Sequence, residues 1–219
     1  MKKKKLSAVL SLLAVIWLNG SKATADTASL QELVNGASLN SGLTTYDNFQ
    51  FLADFGSVSP DISQITVMTL GNGLEFHGNG EFSLDAGVES IIFQLGFNTN
   101  TAGSSFRFGG VDLSNGNPMV SGEGLIDLNN KFSASGSTVA TAYAIIDPLF
   151  GINEPKDTQP FLSPSTQISS VASVTLFADP NSTVSLESFQ VTLSVPEPSS
   201  IVFLVVCGAS MLIRRKRQQ

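Results

Sequence analysis

The chain has 219 residues, 42% of them hydrophobic and 14% charged, with a formal net charge of −6. The charge is uneven: the stretch from Asp26 to Val195 holds 17 of the 18 acids but only Arg107, Lys131 and Lys156 as cations, a net of −14. That excludes a nucleic-acid binder, which needs a basic face against phosphates, and one Cys excludes an intrachain disulfide framework or a Cys-rich metal site.

The N-terminal segment, residues 1–25, reads as a secretory signal peptide. Lys2 to Lys5 form its basic region, and Leu6 to Leu18 form a 13-residue apolar run. Ala23-Thr24-Ala25 is a small-residue site that predicts cleavage before Asp26. The run is short for a membrane span, which needs about 20 residues; an uncleaved anchor is the alternative. Trp17, the only Trp, would leave with the signal.

Residues 26–194 read as one all-β domain with a short N-terminal helix. Ser29 to Glu32 is a capping-box pattern, Leu30, Leu33 and Val34 share a face, and Gly36 is a helix stop. From there the apolar period is two. Ile91, Phe93, Leu95 and Phe97 fall on one face, as do Val139, Thr141, Tyr143 and Ile145, and Ile168, Ala172, Val174 and Leu176. Gly71-Asn72-Gly73 and Gly78-Asn79-Gly80 bracket a short strand, Leu74 to His77, with Asn-Gly expected to supply positive φ angles. Pro155, Pro160 and Pro164 make Ile152 to Ser165 an expected surface loop. Asp179 to Ser182 is a turn, and the apolar phase then changes between Leu186 and Phe189, which predicts a bulge near Glu187-Ser188. About ten strands joined by short turns predict an antiparallel β-sandwich or jelly-roll-like domain. About 170 residues bury some 70% of their unfolded surface, so one core suffices, and 14 Phe in this region can supply it.

Residues 195–219 form a second address. Pro196-Glu197-Pro198 cannot continue a helix interior or a strand ladder and makes an extended joint suited to a protease cleft. Ile201 to Ile213 is a 13-residue apolar run, a short transmembrane helix of roughly 20 Å. Arg214, Arg215, Lys216 and Arg217 form a basic tip that the positive-inside rule holds in the cytoplasm. In order and spacing these parts resemble the PEP-CTERM sorting signal of Gram-negative bacteria. The resemblance covers about a tenth of the chain. It implies that Pro196, Glu197 and Pro198 are read by a membrane-embedded exosortase, a Cys-dependent transpeptidase, which removes the tail; they are substrate residues. A single-pass membrane protein with a stop-transfer tip is the alternative. The segment from Leu30 to Phe51 loosely resembles the opening of some PEP-CTERM ectodomains, and the family's association with exopolysaccharide and biofilm is an expectation by association.

Chemistry is sparse. His77, the only His, is expected to be a solvated turn residue. A Ser-His-Asp triad would have to recruit it, and there is no G-x-S-x-G elbow, no zinc-ligand cluster and no phosphate loop. Asp112 to Asn117 is a polar turn that lacks the closing Glu of an EF-hand loop. The expectation is a non-enzymatic protein without metal or cofactor. It would be exported through the inner membrane by way of signal peptidase, held there briefly by its tail, and released by exosortase to the cell envelope or matrix, with exopolysaccharide as a partner. Carbohydrate-binding module is the alternative reading. A glycoside hydrolase using two facing carboxylates is the more remote one.

Overall fold

A computed structural model describes residues 26–85 and 87–195. Two antiparallel sheets enclose the core. The six-stranded sheet runs β1 (Thr27–Ser29), β4 (Thr66–Leu70), β5 (Gly73–His77), β16 (Ser188–Ser194), β8 (Phe106–Asp112), β13 (Lys156–Ser165). The seven-stranded sheet runs β12 (Ile152–Glu154), β11 (Ser137–Asp147), β10 (Leu125–Ala134), β14 (Gln167–Ala178), β7 (Glu89–Thr101), β3 (Thr44–Asp54), β2 (Leu39–Ser41). Three two-residue strands, β6 (Ser83–Leu84), β15 (Val184–Ser185) and β9 (Met119–Val120), form a small third sheet. Ten of the described strands have five or more residues. The domain is therefore the expected antiparallel β-sandwich. Helix α1 (Leu30–Val34) is the predicted short helix: Ser29 Oγ accepts from the Glu32 N–H, and the Glu32 carboxylate accepts from the Ser29 N–H at 2.9 Å.

The core is dominated by phenylalanine. Phe76 on β5 and Phe189 on β16 are register partners and stack at 4.8 Å. Phe82 packs against both Phe189 and Phe93 at 5.7 Å, and Phe97 lies 6.2 Å from Phe76. Phe49 and Phe51 of β3 stack in turn on Phe97 and Phe93. Seven rings thus form one chain of contacts that crosses from one sheet to the other. β7 and β14 present the predicted residues inward: Ile91, Phe93, Leu95 and Phe97, and Ile168, Ala172, Val174 and Leu176, are all buried.

Four details differ from the sequence reading. On β11 the buried residues are Val139, Ala142 and Ala144, whereas Tyr143 is 57% exposed. Where β10 runs from Phe132 to Ser133 its register against β11 shifts, and the face flips beyond Val139. β8 also lies close over the core: a Cβ on Gly109 would lie 2.6 Å from the Phe132 ring of β10 and 2.7 Å from Phe161 of β13.

Ile152 to Ser165 is two strands rather than a loop. β13 is the edge of its sheet, where the missing N–H groups of Pro160 and Pro164 cost no ladder bond. The phase change near Glu187 is a break between β15 and β16, where the chain passes from the small sheet to the six-stranded one. Asn79 and Gly80 take positive φ (52° and 100°), but no positive φ occurs at Asn72 or Gly73. The turn joining β10 and β11 instead uses Ser135 (50°) and Gly136 (79°).

Phe189→Ala is expected to destabilise the fold by about 3–5 kcal/mol, since it removes the ring that joins Phe76 to Phe82. Gly116→Ala should cost about 3 kcal/mol, because a Cβ there overlaps the Ser188 carbonyl. Urea unfolding midpoints check both.

Candidate functional site

The outward turn of Tyr143 defines the site. Its backbone is held from two directions. On one side β10 pairs Asn129 with Tyr143. On the other β12 has ended, and the Tyr143 N–H donates to Asp157 Oδ2 of β13 at 3.1 Å. Gln159 Nε2 donates to both oxygens of that carboxylate, at 2.9 and 3.0 Å, which fixes its aim.

Register then lays the outer face of the seven-stranded sheet out in rows. One row reads Tyr143, Asn129, Ser173, Gln94 across β11, β10, β14 and β7. The row on one side reads Glu154, Ile145, Asp127, Thr175, Ile92. The row on the other reads Thr141, Lys131, Val171, Gly96. Further along come Ser133, Ser169, Asn98, Asp47, then Gln167, Asn100, Thr45. Those last rows and the Ser135-Gly136 turn border a hollow of about 380 Å³ lined almost wholly by amide and hydroxyl groups. Asn100 Nδ2 donates to Asp47 Oδ2 at its rim, at 3.3 Å.

Asp127 is an acid of this face whose ionisation is perturbed. It is half-buried between Ile145 and Thr175, and desolvation raises its carboxyl above the usual aspartate value of 3.8. No described residue forms an ion pair with it. Its nearest acid in the row is Glu154, with Ile145 between them, so the two stand about two strand spacings, roughly 10 Å, apart. This face can therefore do three things: stack an apolar ring or a C–H surface on Tyr143, donate and accept hydrogen bonds along rows of amides, and accept bonds at a carboxylate.

The other candidate cluster lies on the outer face of the six-stranded sheet. His77 ends β5, half-buried, rather than standing in solvent at a turn, with Nε2 3.2 Å from Glu75 Oε2. Glu75 Oε1 accepts from Ser188 Oγ at 2.9 Å and from Gln190 Nε2 at 3.2 Å. The carboxylate thus sits between the serine and the histidine. A nucleophile needs the imidazole itself as its base, so this arrangement ties β5 to β16 and activates nothing.

In the turn after β8, Asp112 Oδ1 accepts from the backbone N–H and hydroxyl of Ser114, which makes it a polar turn. Among the described residues no group of three or more His, Cys, Asp or Glu is placed to hold a metal ion. Of the predicted processing residues, Asp26 lies at the start of the fold, its N–H donating to Thr69 Oγ1 at 3.0 Å. Ala23, Ala25, Pro196, Glu197, Pro198, Arg214, Arg215, Lys216 and Arg217 lie outside the described residues. Among the described residues no helix is long and apolar enough to cross a membrane.

No family model and no curated protein matches the chain. Solved structures resemble it distantly. TmCBM61 in complex with beta-1,4-galactotriose is 13% identical, with 67% of this chain and 88% of that one covered and a TM-score of 0.32. A family 6 carbohydrate-binding module is 11% identical over 77% and 94%, with a TM-score of 0.24. Trichoderma harzianum endoglucanase 3 of family GH12 is 10% identical over 80% and 99%, again at 0.24. Likeness of this size assigns neither a family nor a ligand.

Asp127→Asn is expected to stabilise the domain at neutral pH. The folded state binds the Asp127 proton more tightly than the unfolded one, so the native carboxylate weakens the fold above its raised pKa and ceases to do so as pH falls through it. The gain in melting temperature should therefore be present at pH 7 and vanish below about pH 3.8.

Proposed function

We propose that this chain is an exported, non-enzymatic matrix protein whose seven-stranded sheet binds polysaccharide on its outer face. The observation that carries this reading is the exposed Tyr143 in register with Asn129, Ser173 and Gln94, beside the Asp127 carboxylate. A sugar ring offers an apolar C–H face and a rim of hydroxyls. An aromatic face covers the first, and amides and a carboxylate bond the second. An open face several strands wide suits an extended polymer, because many weak contacts along one chain add up through avidity. The net charge of −14 between Asp26 and Val195 disfavours polyanions, so the ligand class is a neutral polysaccharide.

The terminal segments supply the route. Residues 1–25 direct export. Pro196-Glu197-Pro198, the apolar run from Ile201 to Ile213 and the basic tip make a temporary anchor that an exosortase removes. Glu154 and Asp127 share a face, but Ile145 lies between them and the face is open, so a held water and a hydrolytic role are not favoured.

Tyr143→Ala is expected to weaken binding to neutral glycans on an array about tenfold or more while leaving the melting temperature within a degree or two. Asp127→Asn should weaken binding yet stabilise the fold, and that opposition of signs marks a ligand-binding group. Release of reducing sugar by the purified protein would overturn the non-enzymatic reading. For the route, intact mass and fractionation of the native protein are compared with those of a variant carrying Pro196→Ala, Glu197→Ala and Pro198→Ala. The native protein should be found outside the inner membrane without its tail, and the variant inside it with the tail retained.

A further inference from the structure

The two ends of the described chain leave the sandwich at the same end. Asp26 exchanges backbone and hydroxyl bonds with Thr69, next to the β4–β5 turn at Gly71-Asn72. Leu193, two residues before Val195, donates its N–H to the Asn72 carbonyl at 2.7 Å. The turns that gather there are residues 42–43, 71–72, 102–105, 135–136 and 166, and none contains an acid. They are tied together by short connections: Thr101 N–H donates to the Thr166 carbonyl, and Ala102 N–H to the Leu43 carbonyl.

The opposite end is different. Its loops carry Asp61, Glu81, Asp85, Glu123, Asp179 and Glu187 and no Lys or Arg. Two of the three cations of the domain, Arg107 and Lys131, lie in the half nearer the chain ends and are exposed. Two large apolar side chains also stand in solvent there, Leu43 at 68% and Leu162 at 87% exposure. Apolar side chains are exposed at the acidic end too, Phe150 among them, but they stand among carboxylates.

Chain length fixes what lies next to this end. Only five residues, 196–200, lie between Val195 and Ile201, the first of the apolar run, and the six Cα–Cα steps reach at most about 22 Å. We infer that, while anchored, the domain rests this acid-poor end, whose carboxylates are Asp26, accepting from the Asn40 N–H, and, further in, Asp47, bonded by Asn100, on the anionic phospholipid surface and points its more acidic end away. This orientation rests on the reading of Ile201 to Ile213 as a membrane anchor. Anionic lipid attracts Lys and Arg by about 1 kcal/mol each near the surface and repels carboxylates within about a Debye length of 8 Å. Leu43 and Leu162 then enter the headgroup layer, and the outer face of the seven-stranded sheet stands upright, open to the matrix.

The test uses the full chain with Cys207→Ser and one added cysteine, Leu43→Cys, Leu162→Cys or Phe150→Cys, each carrying an environment-sensitive fluorophore. Each protein is reconstituted into vesicles of phosphatidylcholine and phosphatidylglycerol containing a headgroup nitroxide. Labels at positions 43 and 162 should lose most of their emission, whereas the label at 150 should keep it. The contrast should shrink in vesicles of phosphatidylcholine alone. Equal quenching at all three positions, or stronger quenching at 150, overturns the orientation. Leu162→Cys chains that cross-link to each other and escape quenching assign this end to a second copy and also overturn it. Alkaline extraction of the same vesicles separates the two readings. Extracted protein means the anchor itself has failed, and the orientation with it; retained protein with uniform quenching means the orientation alone has failed.

Discussion

The packing of Phe76 against Phe189 holds the architecture together. These rings belong to strands 113 positions apart in the chain, and they meet as direct register partners in the middle of the six-stranded sheet. The other sheet reaches them through aromatic contacts, by Phe97 on one side and by Phe82 and Phe93 on the other. With only 14% charged residues and, among the described residues, no Lys or Arg in a salt bridge, the domain relies on buried apolar area and backbone ladders. The hydrogen-bonded carboxylate of Glu75 joins β5 to β16 outside the same pair of strands that the rings join inside.

That division of labour leaves the outer face of the seven-stranded sheet free of structural duty. Its side chains are supported from below by a core already closed, so they can be chosen for what they contact outside. Asp127 illustrates the cost. A carboxyl lodged between Ile145 and Thr175 is raised in pKa by desolvation, and a fold selected only for stability would place a neutral residue there. Tyr143 makes the same point in reverse, since an aromatic side chain left more than half exposed contributes little to the core.

Much of the fold was legible where one strand face is clearly apolar and the other clearly polar. β7 and β14 have that contrast, and their buried residues follow the period-two reading residue for residue. The capping box at Ser29 and Glu32 was legible for a local reason, because it needs only two side chains at fixed spacing. β11 was not legible. Val139, Thr141, Tyr143 and Ile145 compete with Ala140, Ala142, Ala144 and Ile146, and both sets alternate plausibly. The choice coincides with the register shift of β11 against β10 at Phe132–Ser133, which the alternation alone does not reveal. β13 was hidden by its prolines, which mark a loop unless the strand is known to be an edge. The candidate site inherited the ambiguity: of the two tyrosines between Asp26 and Val195 that could stack on a sugar, Tyr46 is buried and Tyr143 exposed, and alternation alone does not choose between them. Asp127 carried no sequence signal at all; its environment exists only once β11 and β14 flank β10.

The position of β16 has a consequence for biogenesis. Among the described strands it is the last in chain order, yet it lies between β5 and β8 in the interior of its sheet. Synthesis runs from the N-terminus, so β16 follows every other described strand, and Phe76 and Phe82 lack their Phe189 partner until it is made. Contacts this far apart in sequence also form slowly once available. Strand order alone thus delays completion of the six-stranded sheet until β16 is available to fill the gap between β5 and β8.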